Sequence, residues 1–294
     1  MTHVAGEPLP AMVGRIDSPV RPGLPFAVSF PPGAIPPSDS VAGRYFQVRC
    51  STSVGIEREA DWSIFLRRTL FVCGRQARQH DDCWQLYLPN CAENLGARPK
   101  ANAEESPPAD EGIAWLGQRV QGEHLNLDGP FGNGFSLQPN PHNLLLLVDV
   151  RHDLARFWQL FPLCEQALDR GGRVTILMRA DSDETTAGLV PGLPIQVEVR
   201  TAINKRQWLE QIQYTLGWAD QVCAGVSSAE YGELLRMIRD ARFRVDRNFA
   251  QILVRTEMLC GVGACLVCVI PVAGGGFTRA CVHGPVFDLT EIAI

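Results

Sequence analysis

Four cysteines near the C-terminus constrain the fold of this chain more than any other feature. Cys260, Cys265, Cys268 and Cys281 are separated by four, two and twelve residues. The first three follow the spacing of plant-type ferredoxins. Each iron of a 2Fe-2S cluster takes two thiolates, so a tight loop can supply three ligands while the fourth comes from a separate strand. The spacing therefore predicts a 2Fe-2S cluster that carries single electrons.

The residues around these cysteines suit such a loop. Gly261 and Gly263 permit unusual backbone angles, and with Ala264 they let amide groups approach the sulfur atoms. No charged residue occurs from Cys260 through Thr278. Apolar side chains are expected to shield the cluster from water, which would help to set its reduction potential. These side chains are Leu266, Val267, Val269 and Ile270.

A zinc site made of four cysteines is the main alternative. Such sites usually pair their ligands as two close couples, whereas Cys281 stands alone in the sequence. Four unrelated buried thiols are a weaker alternative, because all four fall within residues 260–281. His283 is expected on the surface, since a Rieske centre needs two histidines and no second one is near. The spacing favours the iron–sulfur cluster and leaves zinc open.

The composition bears on partners and location. The chain has 294 residues and a net charge of -5, with scattered Lys and Arg, so no basic surface for nucleic acid is indicated. The N-terminus lacks the features of a secretion signal, and no apolar run approaches the roughly 20 residues that span a bilayer. Ten cysteines in a reducing compartment favour metal ligation over disulfides where they cluster. We expect a cytoplasmic protein with no membrane span and no nucleic-acid partner.

The first half of the chain has the pattern of an antiparallel β-barrel. Short alternating stretches such as Tyr45–Cys50 and Trp84–Pro89 are separated by residues that favour turns. Residues 91–111 are polar and small, and they cannot bury enough surface to offset the entropy lost on ordering. The sequence predicts an antiparallel barrel or sandwich over residues 8–140, with a flexible insertion at about 91–111.

The second half has the pattern of an α/β domain. Apolar runs of strand length, such as Asn143–Val150 and Gly172–Ala180, are separated by longer segments, which is typical of buried parallel strands. Alternating strands and helices predict a doubly wound parallel sheet over residues 141–250, followed by a small cluster-binding segment over 251–294. Helices are predicted over Asp153–Arg170, which Pro162 would kink or divide, Lys205–Leu216 and Ser228–Ala241.

Several motifs resemble those of the electron-transfer subunit family of class B dihydroorotate dehydrogenase, within the ferredoxin-NADP reductase superfamily. The tail, MLCGVGACLVC followed by RACVHGPVFDLTEI, closely resembles the family's own. GEHLNLDGPFGNGF (Gly122 to Phe135) is similar to GDxLxVxGPLGNGF. AGRYF (Ala42 to Phe46) and LRRTLF (Leu66 to Phe71) are similar to PGQF and LRRPIS. The resemblance runs along most of the chain.

The resemblance implies a fold and a role. In that family a β-barrel binds FAD, an α/β domain binds the nicotinamide nucleotide, and the C-terminal segment holds the 2Fe-2S cluster. Electrons would travel between NAD and a catalytic flavoprotein subunit that contains FMN, because FAD converts hydride chemistry into single-electron steps. The family relationship implies a hetero-oligomer that acts in pyrimidine biosynthesis.

The flavin motif is only partly present. In the family's RxxS motif the arginine addresses the FAD phosphates and the serine sits near the reactive flavin nitrogen, but Phe71 takes the serine's place here. Binding through Arg68 and backbone groups is expected to persist with altered reactivity. An ordinary surface charge on a strand is a competing interpretation of Arg68. The candidate flavin contacts are Arg68, Thr69, Leu70, Phe71, Gly112 and Ile113, and no catalytic residue is assigned.

The nucleotide motif is absent. After its first strand the family carries a glycine-rich turn, which lets the backbone approach a pyrophosphate. Here Val148–Trp158 contains no glycine, and Asp149 and Asp153 would repel phosphate. The family's later CGP is AGV at Ala224–Val226. NAD(P) binding is therefore doubtful.

Three functions remain open, and the third is a non-redox interaction subunit whose four cysteines bind zinc. The first is an electron transfer subunit with FAD and a 2Fe-2S cluster that serves a flavin-containing partner such as dihydroorotate dehydrogenase. The second is a degenerate relative that acts as a relay or structural subunit of a larger redox complex without oxidising NAD(P)H.

Overall fold

The computed structural model describes residues 12–35, 40–50, 66–90, 110–139, 143–151 and 153–293. Among them are a closed six-stranded barrel, a six-stranded sheet flanked by helices and a two-stranded hairpin. The predicted combination of barrel and α/β fold is confirmed. Most of the predicted insertion at 91–111, including Cys91, lies outside the described residues.

The barrel is antiparallel throughout. Its strands close in the order β1-β2-β5-β4-β3-β6, because β6 pairs back onto β1. Alternate residues point inward and pack large rings in the centre, where Phe46 meets Trp84 edge-on at 5.4 Å. The strands are β1 (Met12–Ile16), β2 (Pro25–Phe30), β3 (Tyr45–Arg49), β4 (Arg68–Ala77), β5 (Asp82–Tyr87) and β6 (His124–Phe131), and the short helix α1 (Glu111–Gly117) lies between β5 and β6.

The second sheet has the order β14-β11-β10-β7-β8-β9, and its five strands from β7 to β11 are parallel. The interior of β7 is wholly buried, which explains the unbroken apolar run in the sequence. Helix α2 continues through Pro162 and is not divided there. The elements are β7 (Asn143–Asp149), α2 (Ala155–Asp169), β8 (Arg173–Arg179), α3 (Asp183–Leu189), β9 (Glu198–Ala202), α4 (Lys205–Leu216), β10 (Gln221–Gly225), α5 (Tyr231–Ala241) and β11 (Ala250–Leu253).

The C-terminal segment returns to this sheet. The hairpin strands β12 (Val269–Pro271) and β13 (Phe277–Arg279) lead into the one-turn helix α6 (Ala280–His283). Strand β14 (Val286–Asp288) then pairs antiparallel with β11. The segment that carries the four cysteines is thus anchored at both ends to the α/β sheet.

The barrel packs directly on the α/β part. Helix α2 lies against β4, where Ala155 and Trp158 cover Cys73 and Tyr87. No helix in the described part of the chain is long and apolar enough to cross a membrane.

Candidate iron–sulfur site

The loop between Cys260 and Cys268 winds tightly because three of its residues adopt left-handed backbone angles. Gly261 and Gly263 have φ of 68° and 77°, and Leu266 has φ of 60°. A Cβ on Gly263 would lie 2.7 Å from Cγ2 of Val282, so glycine is required there by space as well as by conformation. The glycines identified in the sequence therefore shape the loop as expected.

The four cysteine sulfurs fall into two pairs. The Sγ atoms of Cys268 and Cys281 are 3.2 Å apart, and both side chains are buried. Cys265 is exposed and hydrogen bonds through its side chain to the half-buried Cys260. Two thiolates per iron is the ligand arrangement of a 2Fe-2S cluster.

Zinc remains the alternative for the same four thiols. A structural zinc ion needs its four ligands around one centre. The spacing of the cysteines in the sequence favours the binuclear cluster, and a metal analysis distinguishes the two.

Backbone amides point at the Cys260 sulfur. Burial raises the pKa of Cys260, but N–H groups of Cys265, Val262 and Ala264 donate to its sulfur and outweigh burial, so its pKa falls to about 6. A buried thiol elsewhere in the chain behaves differently: burial alone raises the pKa of Cys223. Amides aimed at a sulfur stabilise negative charge on it, which is what a cluster ligand requires.

The inner pair of sulfurs has a different environment. Burial raises the pKa of Cys281, and the neighbouring Cys268 raises it further, although the Gly263 amide opposes both. Two thiolates so close together in a buried place would repel each other. A cationic iron between them would remove that cost.

Two side chains of the barrel strand β3 hydrogen bond to the cysteine segment. The Tyr45 hydroxyl donates to the carbonyl oxygen of Cys281 at 3.3 Å, and burial raises the pKa of Tyr45. The Gln47 amide donates to the carbonyl oxygen of Met258, which also accepts a 3.0 Å hydrogen bond from Thr69. Sequence reasoning did not single out Tyr45 or Gln47 as site residues, because their role depends on contacts about 200 residues away.

The GPFGNGF motif also contacts the cysteine segment. The Asn133 backbone N–H donates to the Gly284 carbonyl at 2.6 Å, and its side-chain amide donates to the His283 carbonyl at 2.8 Å. Gly132 has φ of 82°, and a Cβ there would lie 2.6 Å from Pro285. The motif therefore positions the tail that carries Cys281.

The apolar residues expected to shield the cluster are only partly buried. Leu266, Val267 and Val269 are 59%, 41% and 37% exposed, whereas Ile270 is half-buried and packs against the core of the α/β part. The barrel covers the other side of the loop, where Phe131 and Gln47 lie against Gly261. His283 is exposed, as expected, and contacts Thr278.

The candidate flavin contacts lie at two places on the barrel. The Arg68 guanidinium pairs with Asp110 at 2.8 Å and lies so close to Gly112 that a Cβ there would come within 2.7 Å of it. Asp110 also accepts the Ile113 N–H at 3.0 Å. The Arg68 guanidinium and the backbone around Gly112 therefore lie side by side. The Asp110 carboxylate occupies the position next to Arg68 that a bound anion would take.

The other candidates line β4. Thr69 faces the cysteine segment through its bond to Met258, while Leu70 points into the barrel core. Phe71 is buried between the barrel and the α/β part, where the Arg255 guanidinium lies 4.6 Å from the centre of its ring. Gln47 of the adjacent strand β3 donates to the Thr69 hydroxyl at 2.8 Å, and on β6 Asp128 pairs with Arg67 at 3.0 Å.

Comparison with known proteins shows what this site resembles. Residues 255–293 match the family model described as the iron–sulfur cluster binding domain of dihydroorotate dehydrogenase B. Beyond this segment, the chain is distantly similar to electron transfer subunits of that enzyme. The electron transfer subunit of dihydroorotate dehydrogenase B (NAD(+)) from Geobacillus kaustophilus (strain HTA426) is 26% identical over 194 residues, which cover 63% of this chain and 71% of the relative. The corresponding subunit from Bacillus mycoides (strain KBAB4) is 24% identical over 196 residues, with the same coverage.

Solved structures share the fold of this chain. One is the structure of an NADH-dependent reduced ferredoxin-NADP oxidoreductase, studied for flavin-based electron bifurcation. It superposes with a TM-score of 0.58 at 17% identity, over 99% of this chain and 91% of the oxidoreductase chain. The ferredoxin reductase of carbazole 1,9a-dioxygenase superposes with a TM-score of 0.51 at 12% identity. The superposition covers 82% of this chain and 68% of the reductase. At these identities the likeness concerns the fold alone.

Proposed function

We propose that this chain is an electron transfer subunit that passes single electrons through a 2Fe-2S cluster, to or from a flavin-containing partner such as dihydroorotate dehydrogenase. The observation that carries the proposal is the pairing of Cys260 with Cys265 and of Cys268 with Cys281, with loop amides aimed at the Cys260 sulfur. The family relationship supports a catalytic flavoprotein partner in a hetero-oligomer and a part in pyrimidine biosynthesis.

The cysteine loop would also present the cluster to that partner. The outer cysteine, Cys265, is exposed, whereas Cys268 and Cys281 are buried against the barrel side. Electron exchange needs a redox group close to the protein surface, and here only one edge of the site meets that need. The partner's redox group would therefore approach from the side of Cys265.

FAD is the second cofactor in the proposal. Arg68 and the backbone beside Gly112 would hold its phosphates, because the guanidinium lies directly against a backbone that carries no side chain. FAD supplies conversion between two-electron and one-electron steps when it is bound. Thr69, Leu70, Phe71 and Ile113 are proposed as further contacts through their backbone groups, because the side chains of Leu70, Phe71 and Ile113 are buried.

The domain bounds and the location are proposals too. Residues 8–140, 141–250 and 251–294 are proposed as the FAD-type barrel, the α/β domain and the cluster segment. A cytoplasmic location is supported by nine cysteines that remain free thiols in the described part of the chain, which suits a reducing compartment.

The alternative is a relay or structural subunit of a larger redox complex that does not oxidise NAD(P)H. The ion pairs at the N-terminus of α2 favour it, because they occupy the place where a nucleotide's phosphates would lie. Both alternatives need the cluster.

A cofactor analysis on one anaerobic preparation separates these functions. We expect iron and acid-labile sulfide in equal amounts, with little zinc. Released flavin would support the FAD site, and its absence together with a full cluster would favour the relay. Stoichiometric zinc without iron or sulfide would eliminate both in favour of a non-redox role.

A further inference from the structure

The carboxyl ends of β7 and β10 form the switch point of the parallel sheet, where doubly wound folds bind nucleotides. In this chain Asp149, the last residue of β7, has 1% of its side chain exposed there. Arg151 makes a two-pronged contact with its carboxylate at 2.7 and 2.9 Å. Arg156 donates to the Asp149 carbonyl oxygen at 3.1 Å. Two arginines therefore converge on one buried carboxylate at the switch point.

Three backbone amides at the start of α2 already have partners. The Ala155 N–H donates to the Asp153 carboxylate at 3.1 Å. The N–H groups of Arg156 and Phe157 donate to the carbonyl oxygens of Asp153 and Leu154 at 3.3 and 3.1 Å. An anion needs free donors at a helix N-terminus, and a carboxylate among them repels it.

Helix α2 packs closely on the neighbouring strand. A Cβ on Gly225, the last residue of β10, would lie 3.2 Å from the Cβ of Arg156. The Arg156 side chain therefore lies against the end of β10, at the switch point.

The same charges reach the cluster segment. Arg255, which follows β11 and opens the matched cluster-binding region, pairs with Asp153 at 3.0 Å. Both side chains are about nine-tenths buried. The Arg255 guanidinium also lies on the ring of Phe71 from barrel strand β4. One arginine thus joins the α/β part, the barrel and the cluster segment.

The electrostatics suit a permanent structural element. Burial raises the pKa of Asp149, but its hydrogen bonds to Arg151 and the charges of Arg151 and Arg156 outweigh burial and leave the pKa below its usual value. The carboxylate therefore stays ionised at neutral pH, and its arginines stay engaged. Phosphate would have to displace it from partners that it already holds at hydrogen-bonding distance.

We propose that the ion-pair network of Asp149, Arg151, Asp153, Arg156 and Arg255 replaces a bound dinucleotide, and that it fixes the cluster segment to the two larger parts of the chain. This rests on the proposed function as an electron carrier. The family site for NAD(P) does not fit these residues. On this proposal the chain takes no hydride from a nicotinamide bound at the switch point.

The first experiment is calorimetric titration of NADH and of NADPH into the full chain, purified anaerobically, with iron, sulfide and flavin measured on the same sample. We expect no saturable heat up to about 1 mM nucleotide, the upper end of the usual KM range. Saturable 1:1 binding of either nucleotide would overturn the proposal, whether or not Arg151→Ala weakens it. Low iron content would count against the proposed function but not against the loss of nucleotide binding, because the titration measures nucleotide binding independently of iron.

The second experiment tests the structural role of the network. Arg255→Gln and Asp153→Asn are each expected to lower the Tm by about 5 °C or more, and the double variant should lose less than the sum. Arg247→Gln is the matched control, because Arg247 pairs with Glu291 at 3.0 Å but is 81% exposed. Strictly additive losses, or an unchanged Tm in both single variants, would contradict the role.

Discussion

The hydroxyl of Tyr45 on the third barrel strand donates a hydrogen bond to the carbonyl oxygen of Cys281, 3.3 Å away and 236 residues later in the chain. The ring of Tyr45 also contacts those of Phe71 and Phe131, with centres 6.0 and 5.8 Å apart. The barrel and the fourth cysteine are therefore parts of one packed unit. The cluster segment is not an independent appendage of the two larger domains.

Tyr45→Phe keeps the ring and removes this hydrogen bond. We expect the free energy of unfolding to fall by about 1 kcal/mol, because the buried carbonyl of Cys281 loses its donor. Tyr214→Phe is the control, since Tyr214 is 79% exposed, and it should change stability by less than about 0.5 kcal/mol. Thermal unfolding of the two variants side by side measures the difference, and equal stabilities would show that the Tyr45 bond contributes nothing.

Gly263→Ala should impair cluster assembly. The substitution costs about 1–2 kcal/mol for its left-handed backbone and adds a contact of 2.7 Å with Val282. Gly275→Ala carries a similar backbone strain at φ of 94°, but no atom lies within 4 Å of its Cβ. Iron content per chain should fall in the first variant and stay unchanged in the second. Equal iron in both would mean that the tight loop is not needed for the cluster.

Asp110→Asn should strengthen FAD binding. The Asp110 carboxylate holds Arg68 and would repel the flavin phosphates, whereas asparagine still caps helix α1. A change of about 1 kcal/mol corresponds to roughly fivefold in Kd. Equilibrium titration with FAD measures it, with Glu111→Gln as a nearby control. A weaker affinity in Asp110→Asn would indicate that the carboxylate helps to place Arg68 rather than competing with the ligand.

Acid should destabilise the chain partly through Asp149. Its pKa in the folded protein lies below the ordinary value, so its contribution is complete above about pH 4 and is lost as pH falls through the folded-state pKa. Asp149→Asn should lower stability by about 3 kcal/mol at pH 7, because buried arginines lose their partner. The stability of this variant should also depend less on pH below about 4 than that of the unchanged protein. A parallel acid response in both proteins would rule out this assignment, and the exposed Asp246→Asn serves as the control.

The fold class was predictable from the sequence because its signals are local. The buried run from Leu144 to Val148 has no alternation, as a strand covered on both faces requires. The spacing of Cys260, Cys265 and Cys268 likewise fixes a loop whatever surrounds it. Helix α3 was missed because seven residues with only two buried side chains leave no clear apolar stripe.

The environment of the cysteine site could not be predicted from the sequence. The apolar residues Leu266 and Val267 suggested a dry shell, but a sequence does not say which side of a loop faces solvent. The pair of Arg255 with Asp153 joins residues 102 positions apart, through a fold that local patterns do not specify. The absence of glycine after β7 pointed to a lost phosphate site, whereas what fills that site became visible only in three dimensions.

Electron paramagnetic resonance of the anaerobically purified and reduced chain tests the central claim most directly. A 2Fe-2S cluster on Cys260, Cys265, Cys268 and Cys281 predicts one unpaired electron per chain after reduction. The signal should be lost in Cys268→Ser and kept in Cys223→Ser, which removes a buried thiol on β10 far from the loop in sequence. A folded, reduced chain with no signal and with zinc bound at one equivalent would contradict the account.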